Sequence, residues 1–227
     1  MFYHLKNPLV IISLLLPAMI PLAKAKPFTE LFNGKNLYGW KGDPELWTVQ
    51  EGLIVGSSQQ KKLKSSSFLI WQDGKVGDFE LEYQCKVEGK NNSGVMYRSV
   101  LHPTKKWDMN GNQIDVHPNP PFCAMLYSQG TGRKIVAKRG TKVMVDATGK
   151  PKVLEKLGPV ERVDISKWNT YRVVAKGNHI QHYLNGELAI DLIDKHPKVR
   201  LNGLIGLQLH GGQPMKVYFK SIRLKKL

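Results

Sequence analysis

The sequence predicts an all-β fold, a sandwich or jelly roll, and three observations carry that prediction. Apolar and polar residues alternate with period two in segment after segment, as half-buried antiparallel strands require. The segments are short and closely spaced, and Gly, Asn and Asp punctuate them as β turns do. No long stretch repeats apolar residues at the 3.6-residue spacing of an amphipathic helix. With 227 residues, 41% hydrophobic and 23% charged, the chain can bury its own core, which excludes wholesale disorder and a multispanning membrane protein. A single sandwich domain over residues 26–227 accounts for everything after the first 25 residues.

Those first 25 residues read as a signal peptide. Lys6 precedes an apolar run over 9–22, and Ala23-Lys24-Ala25 supplies the small residues of a cleavage site. The run is ~14 residues long and broken by Pro17 and Pro21, short of the ~20 residues that a spanning helix needs. The expectation is cleavage after Ala25 and an exported protein, periplasmic or secreted, with no transmembrane segment after processing; an uncleaved anchor is the alternative. The formal charge of +16 describes partners rather than fold. Export argues against nucleic acid and leaves an anionic envelope surface or an anionic glycan.

The strands follow in order. Segments 47–49 and 53–55 flank Glu51-Gly52, and 67–71 is an apolar run. In Phe79-Glu80-Leu81-Glu82-Tyr83-Gln84-Cys85-Lys86-Val87 every apolar side chain falls on one face. Strands are also expected at 93–99, 113–117, 171–175, 204–210 and 216–224. Segments 179–184 and 187–191 surround Asn185-Gly186, the residue pair that accepts the positive φ angles of a type I′ hairpin turn. The stretch 128–159 differs, being punctuated by Gly and rich in Lys and Arg. It reads as a basic excursion from the sandwich with two strands, 134–138 and 141–145. Cys85 and Cys123 are too few for a disulfide framework, so a bridge and buried free thiols both remain open.

Alternation also sorts the polar residues by face. Gln113, Asp115 and His117 share one side of their strand, Gln208 and His210 one side of another, and Gly94, Met96 and Arg98 oppose Ser93, Val95 and Tyr97. If these polar rows share a sheet they converge. A surface of carboxylate, imidazole, amide and guanidinium groups offers a sugar the directional donors and acceptors that its hydroxyls need. No H-E-x-x-H, C-x-x-C, P-loop or Gly-x-Ser-x-Gly motif occurs. Asp115-x-His117 and the other histidines admit a divalent metal without specifying one. Glu80 and Glu82 share a polar face, but sequence does not supply the ~5–9.5 Å carboxyl spacing of a conventional glycosidase.

Ordered blocks across residues 26–227 carry a family resemblance. The opening Phe28-Thr29-Glu30-Leu31-Phe32-Asn33-Gly34-Lys35-Asn36-Leu37 is followed by Asn92-Ser93-Gly94-Val95-Met96-Tyr97-Arg98, Gln113-Ile114-Asp115, Trp168-Asn169-Thr170-Tyr171, Leu184-Asn185-Gly186 and Leu207-Gln208-Leu209-His210-Gly211. Together they resemble the 3-keto-disaccharide hydrolase domain family of bacterial exported proteins. The resemblance implies a concanavalin A-like jelly roll acting on glycosides oxidised at C3. It points to Asn92, Ser93, Gln113 and Gln208 as substrate-binding residues and to Asp115, His210 and Arg98 as catalytic ones. Asp115 or His210 would remove the C2 proton, and Arg98, Gln113 and Gln208, or a metal ion, would stabilise the enolate. A non-catalytic lectin-like module and a direct glucanase are the competing readings.

Overall fold

A computed structural model describes Met1 and residues 26–227. The signal-peptide reading therefore falls outside the described residues. The strands are β1 (Thr29–Glu30), β2 (Trp40–Lys41), β3 (Trp47–Gln50), β4 (Leu53–Ser57), β5 (Ser67–Trp71), β6 (Phe79–Gly89), β7 (Ser93–Leu101), β8 (Met109–Val116), β9 (Leu126–Gln129), β10 (Lys134–Ala137), β11 (Thr141–Val145), β12 (Pro151–Lys156), β13 (Asn169–Lys176), β14 (His179–Leu184), β15 (Glu187–Asp194), β16 (Leu204–Leu209) and β17 (Met215–Lys226). A single 3₁₀ turn, Pro120–Phe122, is the one helical element among the described residues. No helix among the described residues is long and apolar enough to cross a membrane.

The strands form two stacked sheets. One runs β12-β11-β15-β14-β13-β6-β17-β4-β3, with β1 added against β17; the other runs β10-β9-β8-β7-β16-β5-β2. This is the expected all-β sandwich, antiparallel except where β11 pairs parallel with β15. The Asn-Gly hairpin forms as its sequence requires, with Asn185 at φ 51 and Gly186 at φ 88.

Strand β6 shows why the layers adhere. Phe79, Leu81, Tyr83, Cys85 and Val87 are buried, while the residues between them remain half-exposed. Tyr83 pairs with Tyr171 on β13 and stacks on it at 5.4 Å between ring centroids. Val95, Tyr97, Ile114, Val116, Leu126, Ile205, Leu207 and Leu209 of the second sheet close the same core. Cys85 and Cys123 are free thiols within it, and burial pushes the Cys85 thiol well above its ordinary pKa.

The second sheet is buried on its outer face as well. Phe68, Ile70, Met96 and Met109 form a separate apolar cluster there, with Trp107 and Leu204 packed against it. The remainder of that outer face carries the polar rows.

Residues 128–159 are not an excursion. They supply β10 to the edge of one sheet and β11 and β12 to the edge of the other, so the stretch is shared between both layers. Strand β12 escapes sequence reading because it is an exposed edge strand with no apolar face to bury, and it begins on Pro151.

One polar link crosses the core. The Tyr97 hydroxyl on β7 donates to His182 Nε2 on β14 at 2.7 Å, and His182 Nδ1–H donates to the Ala124 carbonyl at 3.0 Å. Burial pushes the His182 pKa down to about 4. The unfolded chain binds a proton here near pH 6.5 that the folded chain refuses, so stability is lost as the pH falls from 6.5 towards 4. The loss expected from this group is ~3 kcal/mol. Urea denaturation of wild type and His182→Gln at pH 7 and 4.5 measures it: the acid-induced loss should be smaller in the variant, and equal losses would refute the assignment.

Candidate active site

The outer face of the seven-stranded sheet holds a cleft of about 370 Å³. Alternation on β8 points Gln113 and Asp115 outward, with His117 just beyond the strand, while Ile114 and Val116 enter the core. Tyr127 and Gln129 come from β9, Gln208 from β16, and Asn92 and His210 from strand ends; Met125 completes the wall. Hollows of about 560 and 590 Å³ lie elsewhere and place no imidazole beside a carboxyl.

A glycine lets the amides meet. Gln113 on β8 and Gln208 on β16 lie on either side of β7, where Gly94 has no side chain. A Cβ there would stand 2.1 Å from Gln113 Nε2 and 2.7 Å from its carboxamide carbon. Across that gap Gln113 Nε2–H donates to Gln208 Oε1 at 2.7 Å. Gln208 Nε2 in turn donates to Ser66 Oγ and Gln129 Oε1, both at 3.3 Å. Gln129 Nε2 then donates to Asp108 Oδ1 at 3.2 Å and to the Met109 carbonyl at 3.0 Å. Each amide is oriented by the next.

Asp115 stands apart from this relay. It is 7% exposed, and its carboxyl makes no hydrogen bond among the described residues. Burial alone pushes its pKa well above the usual carboxylate range.

The two imidazoles are held in opposite tautomers. His210 Nδ1 lies 2.6 Å from the Gly211 carbonyl, which can only accept, so Nδ1 carries the proton and Nε2 of the neutral ring offers a lone pair. His117 Nδ1 accepts the Asn119 N–H at 3.0 Å, so the proton of its neutral ring is on Nε2. Burial, followed by the nearby His210, lowers the His117 pKa.

Two expected site residues are elsewhere. Arg98 is fully buried; it donates to the Gly77 carbonyl at 2.9 Å and the Gly177 carbonyl at 2.6 Å, and pairs with Asp78 at 3.0 Å. Its φ of 46 and a register shift between Tyr97 and Val100 break the alternation, turning the guanidinium towards the other sheet's turns. Ser93 follows its parity into the interior and donates to the Gln208 carbonyl at 2.7 Å. Glu80 and Glu82 are on the opposite sheet, paired with Arg172 at 3.1 Å and with Arg223 Nε at 3.0 Å. No three His, Cys, Asp or Glu side chains gather as a metal site among the described residues. The cleft lining includes no Lys or Arg, so the basic charge of the chain lies outside it.

The family model described as a 3-keto-alpha-glucoside-1,2-lyase-like domain matches residues 27–225. The chain belongs to this family. A curated relative, the 3-keto-disaccharide hydrolase of Bacteroides thetaiotaomicron, is 24% identical over an alignment covering 89% of this chain and 79% of that one. A solved Parabacteroides distasonis structure, provisionally described as a glycosyl hydrolase, superposes with a TM-score of 0.59 at 21% identity, over 88% of this chain and all of its own. A carbohydrate-binding module of Bacillus subtilis superposes at 0.56 and 18% identity, over 83% of this chain and 96% of its own. These superpositions show the shared sandwich, and the family match supports a glycoside hydrolase-like or carbohydrate-binding role.

Sequence reasoning brought Asn92, Gln113, Asp115, Gln208 and His210 to one cleft, as found. It did not assign Met125, which precedes β9, or Tyr127 and Gln129, which share one face of a strand only four residues long. Gly94→Ala should fold, since its backbone does not require positive φ, but it should displace Gln113 from Gln208. A crystal structure of the variant with that 2.7 Å hydrogen bond intact would refute this account of Gly94.

Proposed function

We propose that the protein cleaves the glycosidic bond of 3-keto-glycosides by elimination across C1 and C2, with net hydrolysis when water adds back. The observation that carries the reading is the pairing, in one cleft, of a carboxyl whose proton affinity burial raises with an imidazole whose hydrogen bond leaves a lone pair on its free nitrogen. A carboxyl that holds its proton more tightly than usual suits a general acid, and an imidazole nitrogen with an open lone pair suits a base.

The roles follow from those states. A C3 ketone acidifies the C2 proton, and His210 Nε2 removes it to give an enolate. Collapse of the enolate expels the C1 substituent, whose oxygen takes the proton of Asp115. The products are a 1,2-unsaturated 3-keto sugar and a free alcohol or sugar. For hydrolysis the roles reverse: the Asp115 carboxylate takes a proton from water as it attacks C1, and protonated His210 returns the proton to C2. No oxocarbenium ion forms, so two carboxylates astride the bond are not needed. Gln113, locked through Gln208, and Asn92 offer polar groups to the ring hydroxyls. The segment at Ala23-Lys24-Ala25 supports action outside the cytoplasm.

Incubation of the purified protein with 3-keto-trehalose or 3-keto-lactose should release hexose, with and without chelator as parallel arms. Binding without turnover would instead favour the lectin-like reading. Asp115→Asn and His210→Ala should each lower kcat by ~10²–10⁴-fold, and full turnover in both variants would overturn the mechanism.

Asp115 also sets a pH dependence. As the proton donor it loses function as the pH rises through its elevated pKa, giving the alkaline limb of the rate profile. The stability effect has the opposite sign from that of an ordinary ion-paired carboxylate. The unfolded carboxyl ionises near pH 3.9, so this group costs the folded state increasingly as the pH rises from there to its folded pKa. Asp115→Asn should therefore raise Tm at pH 7 while lowering turnover, which calorimetry beside the hexose assay tests; a lowered Tm would count against the buried, unpartnered carboxyl.

A further inference from the structure

We infer that His117 is a further catalytic residue of this site, a neutral hydrogen-bond donor whose Nε2–H meets the C3 oxygen as it becomes an enolate. The inference rests on the elimination reading above and deepens it.

Elimination through an enolate requires a donor at the C3 oxygen, where negative charge develops. Arg98, the natural candidate from sequence, is committed to Gly77, Gly177 and Asp78 on the far side of its strand. The cleft lining provides no lysine or arginine in its place. The amide relay offers little more, because Gln208 and Gln129 each direct their side-chain nitrogen to two protein acceptors. Gln113 directs its nitrogen to Gln208.

Asn92 and Tyr127 also line the cleft; His117 differs from them in that its hydrogen bond fixes which ring nitrogen carries the proton. A backbone N–H can only donate, so the contact from Asn119 requires a lone pair on His117 Nδ1. A doubly protonated ring would lose that bond. The Phe122 ring packs beside the imidazole, 5.2 Å between centroids and inclined to it by 76°. The side chain lines the cleft with its proton on Nε2. His210 has the complementary arrangement, with Nδ1–H bound to a carbonyl and Nε2 open.

The pairing is consistent through the reaction. When His210 takes the C2 proton it becomes an imidazolium, and a second cation beside it would oppose that transfer. A neutral His117 avoids the repulsion while still supplying an N–H. Balance is kept without a further proton carrier: the C2 proton passes to His210, the C2 electron pair moves towards the C3 oxygen, and His117 shares its Nε2 proton without surrendering it. Asp115 is the other titratable side chain projecting from the same strand face, and it is reserved for the leaving oxygen.

Three measurements test this together. Side-chain ¹H–¹⁵N spectra of the whole protein should show His117 as the Nε2–H tautomer and neutral His210 as the Nδ1–H tautomer. His117→Leu should lower kcat on 3-keto-trehalose by ~10²–10³-fold, the usual loss for one oxyanion donor, with a much smaller change in KM. His117→Gln, which restores an N–H near the Nε2 position, should recover part of the loss. The third measurement isolates enolate formation: C2 hydrogen exchange in D₂O with 1,5-anhydro-3-keto-glucitol, which has no leaving group, should fall in step with kcat in His117→Leu. The proposal is overturned if His117 is found with its proton on Nδ1, or if His117→Leu exchanges and turns over at the wild-type rate. A wild-type protein inactive on 3-keto-glycosides would overturn the elimination reading and this role with it. A wild-type protein that is active beside an equally active His117→Leu would overturn this role alone.

Discussion

The seven-stranded sheet meets the core on its inner face and an apolar cluster on only part of its outer face, and that constraint shapes the rest of the molecule. A sheet with one wet face can leave its polar side chains to water, whereas here the inner face meets the core and part of the outer face meets the Trp107 and Met109 cluster. Polar groups beside such a cluster must find partners within the protein or bear the cost of desolvation. Gln113, Gln208, Gln129 and Asp108 do so by bonding to one another in series. Asp115 does not, and its elevated proton affinity is the physical result. The groove and the raised proton affinity of the Asp115 carboxyl thus have one origin, the incomplete apolar cover of one sheet face.

Cross-sheet ties keep that face rigid. Arg98 joins β7 to the turns before β6 and after β13, and the Tyr97–His182–Ala124 link passes through the centre of the sandwich. Directly behind the cleft, Ser93 holds the Gln208 carbonyl. None of these groups reaches the cleft, yet they hold the strands that do. A catalytic geometry built on strands pinned in this way gains precision that loops rarely provide. Arg98 and Ser93 belong to the family motif, and in this fold they support the strands of the site rather than line it.

Much of the site was legible because strand parity is a local property. Gln113 and Asp115 had to face the same way, as did Gln208 and His210, and the structure brings both rows onto one outer face. Parity failed at Arg98, where a positive φ and a ladder shift reverse the side chain within a run that otherwise alternates. Nothing in the local pattern announces such a bulge, since its cause is a set of carbonyl acceptors from distant turns. The reading of 128–159 as an excursion failed for a related reason: β11 is held by a parallel neighbour far along the chain, and β12 is an edge strand exposed throughout.

By itself, the sequence determined the β class, the hairpin at Asn185-Gly186, the buried row of β6 and the family, since period-two patterning and turn chemistry act over a few residues. Tertiary structure alone decided which rows meet, that Gly94 leaves room for an amide to cross a strand, and that Asp115 has no partner. It also decided the two imidazole tautomers, because each depends on a backbone donor or acceptor whose position the fold sets. Proton states are fixed by neighbours in space and by burial, and a linear sequence specifies neither until the sheets have closed.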